Sequence, residues 1–279
     1  MKLISWNIAQ RKEAWRRLID TDADVALLQE AREPPPDVAS RIQVDGEPWR
    51  TCGRGAIRPW RAAVVQLTNR VQVDWLTPIP LEEAGAGDLA VSRRGTLAAA
   101  KVTESGGPPC TLVSLYALWE KPHRSTGSGW IFADASAHRL VSDLAVLIGR
   151  QSGHSVIAAG DLNILRGYGE HGSEYWAGRY DTVFKRMEAM GMPFVGPHYP
   201  NGRRAEPWPS ELPAESNNVP TYHTNRMNPA QAERQLDFVF ASADLVKWLH
   251  VRALNEPSEW GPSDHCRVQV ELRGGIGCV

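Results

Sequence analysis

The stretch "VIAAGDLNIL", residues 156–165, takes an apolar run and ends it abruptly in a glycine, an acid and an amide. Val156, Ile157, Ala158 and Ala159 are continuously apolar, the pattern of a strand buried on both faces rather than on one. Asp161 and Asn163 then stand where that strand emerges at its C-terminal end. A carboxylate there costs desolvation unless it is paired, bound to a metal or facing a wet cleft. Residues i and i+2 of an extended segment point to the same side, so the two polar side chains are expected to share a direction. A tight turn is the competing reading, since Gly-Asp and Asn are common turn residues.

Composition narrows the choice. The chain has 279 residues, 42% of them hydrophobic, enough for one large core or two small ones. Its 31 basic and 32 acidic residues give a net charge of −1, without the basic excess of a general nucleic-acid binder, although a local basic groove remains compatible with it. Cys52, Cys110, Cys266 and Cys278 lie far apart with no C-x-x-C pair, which points away from a zinc knuckle or a thioredoxin-like site. The opening "MKLISWNIAQRK" is too briefly apolar for a signal segment, and no later run approaches a membrane span. The expected setting is a soluble, cytoplasmic protein with reduced thiols.

Outward from the opening stretch, "KLISWNI" reads as a first strand, "KEAWRRLIDT" as a helix and "DVALLQE" as a second buried strand. This β-α-β opening favours parallel pairing of the two strands. "RAAVVQLT", "VQVDWL", "TLAAAKV" and "CTLVSLYAL" follow as strands. "ASAHRLVSDLAVLIGR" is an amphipathic helix with Leu140, Leu144, Leu147 and Ile148 on one face. After the "SVIAAG" strand come a helix around "DTVFKRMEAMG" and two final strands, "RQLDFVFAS" and "RVQVELR". With no repeat and no composition break, the expectation is one α/β domain over residues 1–279, built on packed sheets. Residues 119–133 and the stretch from Arg166 to about Asn218 exceed ordinary loop length, and long loops in compact domains are commonly binding loops. Their rings, Trp119, Trp130, Tyr168, Tyr175, Trp176 and Trp208, serve either substrate contact or simple packing.

Polar residues recur at other strand ends: Asn7 in "SWN", Glu30 in "LLQE", Tyr116 in "VSLYALW", Asp237 in "RQLDFVF", and Asp264 with His265 in "GPSDHC". One such residue would be a cap or a buried hydrogen-bond partner. So many carboxylates and amides, each costing desolvation, are hard to explain by stability alone. Phosphate-ester hydrolysis with a hard metal ion needs this set: oxygen ligands for the metal, an acceptor for the water, donors for the transition-state oxygens.

The ordered runs W-N, L-Q-E, G-D-x-N, L-D-F-V-F and S-D-H resemble the endonuclease/exonuclease/phosphatase superfamily, whose fold is that of DNase I. The resemblance extends from Asn7 to His265. It implies a four-layer α/β/β/α sandwich, two packed mixed β-sheets with outer helices. It also implies a magnesium-dependent phosphoric ester hydrolase, with Mn2+ as the alternative ion. Carried over by position, Glu30 is the principal Mg2+ ligand, helped by Asn7 and Asp264. Asp161 orients or deprotonates the attacking water, Asn163 holds Asp161 and a phosphate oxygen, and His265 faces the phosphate. Asp237 fixes the tautomer of His265, and Tyr116 matches a family tyrosine near the scissile phosphate.

There are departures. The abasic-site endonuclease branch has an acid two residues after the first Asn, where this chain has Ala9, and "YALWEKPHR" replaces that branch's run after the tyrosine. Three functions are therefore carried forward. The first is a nuclease acting on DNA or RNA, in which Arg124, Trp130 and Arg166 of the long loops contact phosphates and bases. The second is a phosphatase or phosphodiesterase for a small nucleotide or inositol phosphate, and the third a catalytically silent binding module. His223 in "PTYHTN" is read as either a phosphate donor or a surface-loop residue.

Overall fold

The computed structural model describes residues 1–53, 56–120, 125, 133–150, 152–224 and 226–273. Along the chain run β1 (Lys2–Asn7), α1 (Lys12–Ile19), β2 (Val25–Ala31), the short α2 (Pro36–Ala39), β3 (Gln43–Val44), β4 (Thr51–Gly53), β5 (Ala56–Arg58), β6 (Arg61–Gln66) and β7 (Val71–Leu76). Next come β8 (Pro78–Pro80), β9 (Leu89–Val91), β10 (Leu97–Glu104), β11 (Cys110–Tyr116), α3 (Ala133–Ala145), β12 (Val156–Asp161) and α4 (Glu174–Ala189). The chain finishes through β13 (Phe194–Gly196), β14 (Asp237–Ala241), β15 (Leu249–Leu254) and β16 (Arg267–Leu272).

Two mixed six-stranded sheets result, in the orders β15-β16-β1-β2-β6-β3 and β13-β14-β12-β11-β10-β7. β1 and β2 pair in parallel, as a β-α-β opening requires. The period-two alternation of each strand then sorts its side chains into layers. Leu3, Val25, Leu27 and Val64 of the first sheet meet Ala98, Leu112, Ile157, Ala159 and Val239 of the second in the core between the sheets. The alternate residues Ile4, Trp6, Ala26 and Leu28 face Ala14, Trp15 and Leu18 of α1. Val113, Leu115, Ala158, Phe238 and Phe240 face Leu140 and Leu144 of α3 and Val183 and Met187 of α4. The architecture is the four-layer α/β/β/α sandwich.

Some boundaries differ from expectation. α4 begins at Glu174, seven residues before the "DTVFKRMEAMG" segment, because Ser173 caps it by accepting from the Trp176 amide at 3.4 Å. α3 stops at Ala145, although Leu147 and Ile148 still pack partly on the same core. β3, β4, β5, β8, β9, β13 and β15 lie outside the expected strands; in β15, Val251 and Ala253 are buried beside β16, while His250 and Arg252 are only half-buried. Among the described residues no helix is long and apolar enough to cross a membrane.

Gly160 explains why the opening stretch carries a glycine. Gly160 has φ +157°, which turns its Cβ position toward β11, where a side-chain carbon would sit 1.8 Å from the Leu115 carbonyl oxygen. The obstacle is backbone within a paired strand, which has little room to move. Gly160→Ala is therefore expected to cost about 3 kcal/mol or more, the upper range of overpacking. Urea unfolding measures it, and a loss under about 1 kcal/mol would show that the strand pair yields.

Candidate active site

The core between the sheets turns polar at one end. In β1 the inward series Leu3, Ser5 closes on Asn7; in β11 Leu112, Ser114 closes on Tyr116; in β12 Ile157, Ala159 closes on Asp161. In β14, which runs the opposite way, Asp237 precedes inward Val239 and Ala241. Register places Tyr116 opposite Asp161 and Asp161 opposite Asp237, so three polar groups stand side by side on adjacent strands. Asn7 faces them from the other sheet, and its Nδ2 donates to Asp161 Oδ2 at 2.9 Å.

Asp161 is only 1% exposed and collects further donors. The Asn163 amide donates to its Oδ1 at 2.9 Å and Asn163 Nδ2 to its Oδ2 at 3.1 Å, while the same Nδ2 reaches the Ala117 carbonyl. The two side chains do converge, but not through an extended strand. β12 ends at Asp161, and Asn163 has φ +50°, so an Asx turn folds the amide back on the acid. Turn chemistry and convergence are one structure here.

Glu30 departs from its strand's alternation. Gln29 lies inward and donates to Ser114 Oγ at 3.0 Å, so regular pleating would send Glu30 toward the helix layer. Instead Glu30 has φ +48°, and the β2–β6 register shifts between Leu28 and Ala31. Its carboxylate thereby accepts from Tyr116 Oη at 2.7 Å and from Gln10 Nε2 at 3.2 Å. Gln10 Oε1 in turn accepts from Arg32 Nε at 2.8 Å. Burial, reinforced by the charges of Glu30 and Asp161, raises the Tyr116 phenol well above its ordinary pKa, so it stays protonated and donates.

His265, 4% exposed, bonds Asp237 Oδ2 through Nδ1 at 2.8 Å and leaves Nε2 3.8 Å from Asp161 Oδ2. Burial opposes the imidazolium, but the charges of Asp237 and Asp161 and the Asp237 hydrogen bond outweigh it, raising the His265 pKa. Burial raises the Asp161 carboxyl, against the pull of His265. Both shift up for different reasons: burial disfavours a charged Asp161, while the carboxylates on either side of the His265 ring together favour its protonated form.

Further residues support the cluster, among them Thr221 of the "PTY" run, which the family resemblance places near the site, and others that the sequence reading does not single out. Thr221 Oγ1 accepts from the Leu236 and Asp237 amides. Ser263 Oγ donates to the Asn7 carbonyl at 2.6 Å and accepts from the His265 amide at 3.2 Å. Tyr222 lies against His265 with ring centroids 4.9 Å apart and planes tilted by 51°. Gln10, Gln29 and Arg32 complete the set. The buried amide of Gln29, directly before Glu30, was a signal that could have been used.

Asn7, Glu30, Tyr116, Asp161, Asn163, Asp237 and His265 are thus linked by the contacts above. Asp264 is half-buried, touches Ser263 Oγ at 3.4 Å, and has no hydrogen bond to Glu30 or Asn7. Arg166 has no bond to the cluster: its guanidinium lies 4.3 Å over Phe194 and donates to Asn218 Oδ1 at 3.1 Å. Arg124 and Trp130 lie outside the described residues. His223 packs 5.1 Å from Trp260 and bonds the Thr224 carbonyl.

The donor set of Glu30, Asn7 and Asp264 is all oxygen, and the Glu30 carboxylate has no cationic partner among the described residues. That chemistry fits a hard divalent ion. Among the described residues no three or more His, Cys, Asp or Glu gather as a metal-holding group. A Mg2+-type ion held by one or two carboxylates and water needs no such gathering.

Solved structures share this fold over nearly all of the chain. An AP endonuclease from Archaeoglobus fulgidus is 15% identical with a TM-score of 0.60, covering 98% of this chain and 99% of that one. The endonuclease domain of TRAS1, a telomere-specific non-LTR retrotransposon, is 16% identical with a TM-score of 0.58, covering 98% of both chains. The 3′ phosphatase NExo from Neisseria, bound to a product DNA hairpin, is 16% identical with a TM-score of 0.53, covering 98% of this chain and all of that one. No curated protein matches the chain by sequence. A family model matches residues 4–265, a span that takes in the whole cluster from Asn7 to His265, and the chain belongs to the Endonuclease/Exonuclease/phosphatase family of phosphoester hydrolases.

Proposed function

We propose that this protein is a divalent-metal-dependent phosphodiesterase that cleaves nucleic acid, DNA or RNA, by in-line attack of water. The observation that carries the reading is the space between His265 Nε2 and Asp161 Oδ2. At 3.8 Å it is too wide for a hydrogen bond, and it is flanked by one proton donor and one acceptor. A phosphate approaching alongside this pair can accept from His265 Nε2 while the attacking water lies against Asp161 Oδ2.

In this reading Asp161, held by Asn7 and Asn163, aligns the attacking water and takes its proton as the new P–O bond forms. His265, kept charged and oriented by Asp237, donates from Nε2 to a phosphate oxygen as negative charge develops. The ester oxygen on the opposite side of phosphorus departs and is protonated by solvent. Tyr116 holds the Glu30 carboxylate in place. Mg2+, or Mn2+ in its stead, bound by Glu30 with Asn7 and Asp264, would neutralise charge on the phosphate. A nucleic-acid substrate is supported by the family's range and by proteins of this fold such as the Neisseria phosphatase solved with a DNA hairpin.

Glu30→Gln is expected to lower Mg2+-dependent hydrolysis of an oligonucleotide by about 100-fold or more, the several kcal/mol that Lewis-acid stabilisation supplies. Circular dichroism should remain native, and chelation by EDTA should silence the unmodified protein. Near-normal Mg2+-dependent turnover in the variant would remove Glu30 from the metal site.

For the Asp237–His265 pair, Asp237→Asn should slow turnover by roughly 10–100-fold, the usual loss when a group orienting a functional histidine is changed. In a His265→Ala background the same change should do far less, because the two act as one unit. Kinetics of the four proteins in this double-mutant cycle check it, and additive losses would leave Asp237 with a purely structural part.

A further inference from the structure

Beside the site, a cleft of about 1030 Å³ opens between the start of β6 and the start of β10, lined by six arginines. Four are already engaged. Arg61 pairs with Asp45 at 2.6 Å, Arg139 and Arg93 share Glu120 at 2.7 and 3.9 Å, and Arg94 reaches Glu83 at 4.0 Å. Arg50 stands exposed at the rim. Arg58 is different. It is half-buried, has no carboxylate within ion-pair distance among the described residues, and its Nη1 is buried without a hydrogen-bond partner. Burial lowers its pKa, against the opposing pull of Tyr116 and Glu120. A buried guanidinium N–H lacking an acceptor is costly and calls for an acceptor to meet it, a bound ion or water among them; Arg61 and Arg139 in the same cleft have such atoms as well, but each already pairs with a carboxylate.

Arg58 is also wired to the reacting centre by contact. Its guanidinium lies 5.7 Å over the Trp60 ring, Trp60 meets Tyr116 edge-on at 5.2 Å, and Tyr116 donates to Glu30. The cleft reaches the upper end of the roughly 300–1,000 Å³ that small-molecule pockets occupy, far more than one phosphate fills. Trp119 on its wall is 51% exposed and offers an open ring face for a base.

We propose that Arg58 binds a second, non-scissile phosphate of the substrate, so that the cleft beside the site receives the continuing strand of a nucleic acid. This rests on the proposed function for the identity of the scissile phosphate. The guanidinium fork supplies two parallel N–H donors to one phosphate, a geometry that lysine cannot reproduce.

The test compares the full chain with its Arg58→Ala and Arg58→Lys variants. Fluorescence anisotropy with a labelled oligothymidylate in EDTA reads binding without hydrolysis. Kinetics in Mg2+ then use the same strand and bis-p-nitrophenyl phosphate, which has a single diester. Arg58→Ala is expected to weaken strand binding about tenfold, the scale of one charge-assisted contact. The salt dependence should flatten by about 0.7 in logarithmic slope, one phosphate's worth for a single strand. Arg58→Lys should recover part of the affinity, and kcat/KM should fall several times more for the strand than for the small diester, through KM. The melting temperature should change little, since the removed cation has no carboxylate partner and only a 5.7 Å contact with the Trp60 ring. Unchanged strand affinity, or equal losses on both substrates, would overturn the proposal. So would a nucleoside 3′,5′-bisphosphate that competes as tightly as the strand, which would give the second phosphate to a small molecule. An unmodified enzyme that binds the strand in EDTA but hydrolyses neither substrate would count against the proposed function alone, and the binding comparison would still decide the role of Arg58.

Discussion

Everything at the site depends on two sheets packed face to face whose shared core ends in polar side chains. The Asn7–Asp161 hydrogen bond and the Tyr116–Glu30 hydrogen bond both cross from one sheet to the other. Each crosses at the mouth of a core made of Leu3, Leu27, Leu112 and Ala159, which fixes the spacing of the sheets. An apolar core at native density is stiff, so the polar groups at its rim inherit that stiffness. Gln29 and Ser114 make a similar cross-sheet tie one layer deeper, with Ser114 donating on to the Leu28 carbonyl at 2.7 Å.

The backbone is least regular where the chemistry is. Ala9, Gln10, Glu30 and Asn163 all adopt φ between 45° and 62°, a region that residues other than glycine seldom occupy. Each serves a defined contact. The Ala9 amide caps Asn7 Oδ1, Gln10 supports Glu30, Glu30 leaves its strand's alternation, and Asn163 folds back on Asp161. Unfavourable conformations of this kind persist where surrounding packing over-determines them, and they gather at functional sites.

Charge is arranged with equal economy. A chain of net charge −1 cannot attract polyanions by its overall field. It concentrates arginines in one cleft and neutralises most of them with local carboxylates, leaving Arg58 without one among the described residues.

The sequence by itself determined the layers and most of the polar set. Continuous apolar runs such as 156–159 require strands covered on both faces, and acids at their ends cost too much desolvation to be incidental. Asn7, Glu30, Tyr116, Asp161, Asn163, Asp237 and His265 were therefore legible one by one, each from its place at the end of a strand. Their meeting in one cluster was implied only by the family resemblance, not by any local signal. Which sheet each strand joins, and that Asp161 sits between Tyr116 and Asp237, are long-range pairings with no local signal. The inward turn of Glu30 comes from a left-handed backbone that strand alternation predicts wrongly. Arg166 looked like a phosphate contact in a long loop, yet its charge lies against Phe194 and Asn218. Arg58, unremarkable at the end of the short strand β5, becomes a half-buried cation in the cleft lined by the starts of β6 and β10. Residue chemistry is local and can be read along the chain, whereas burial and charge compensation belong to the neighbours, which only the packed sheets supply.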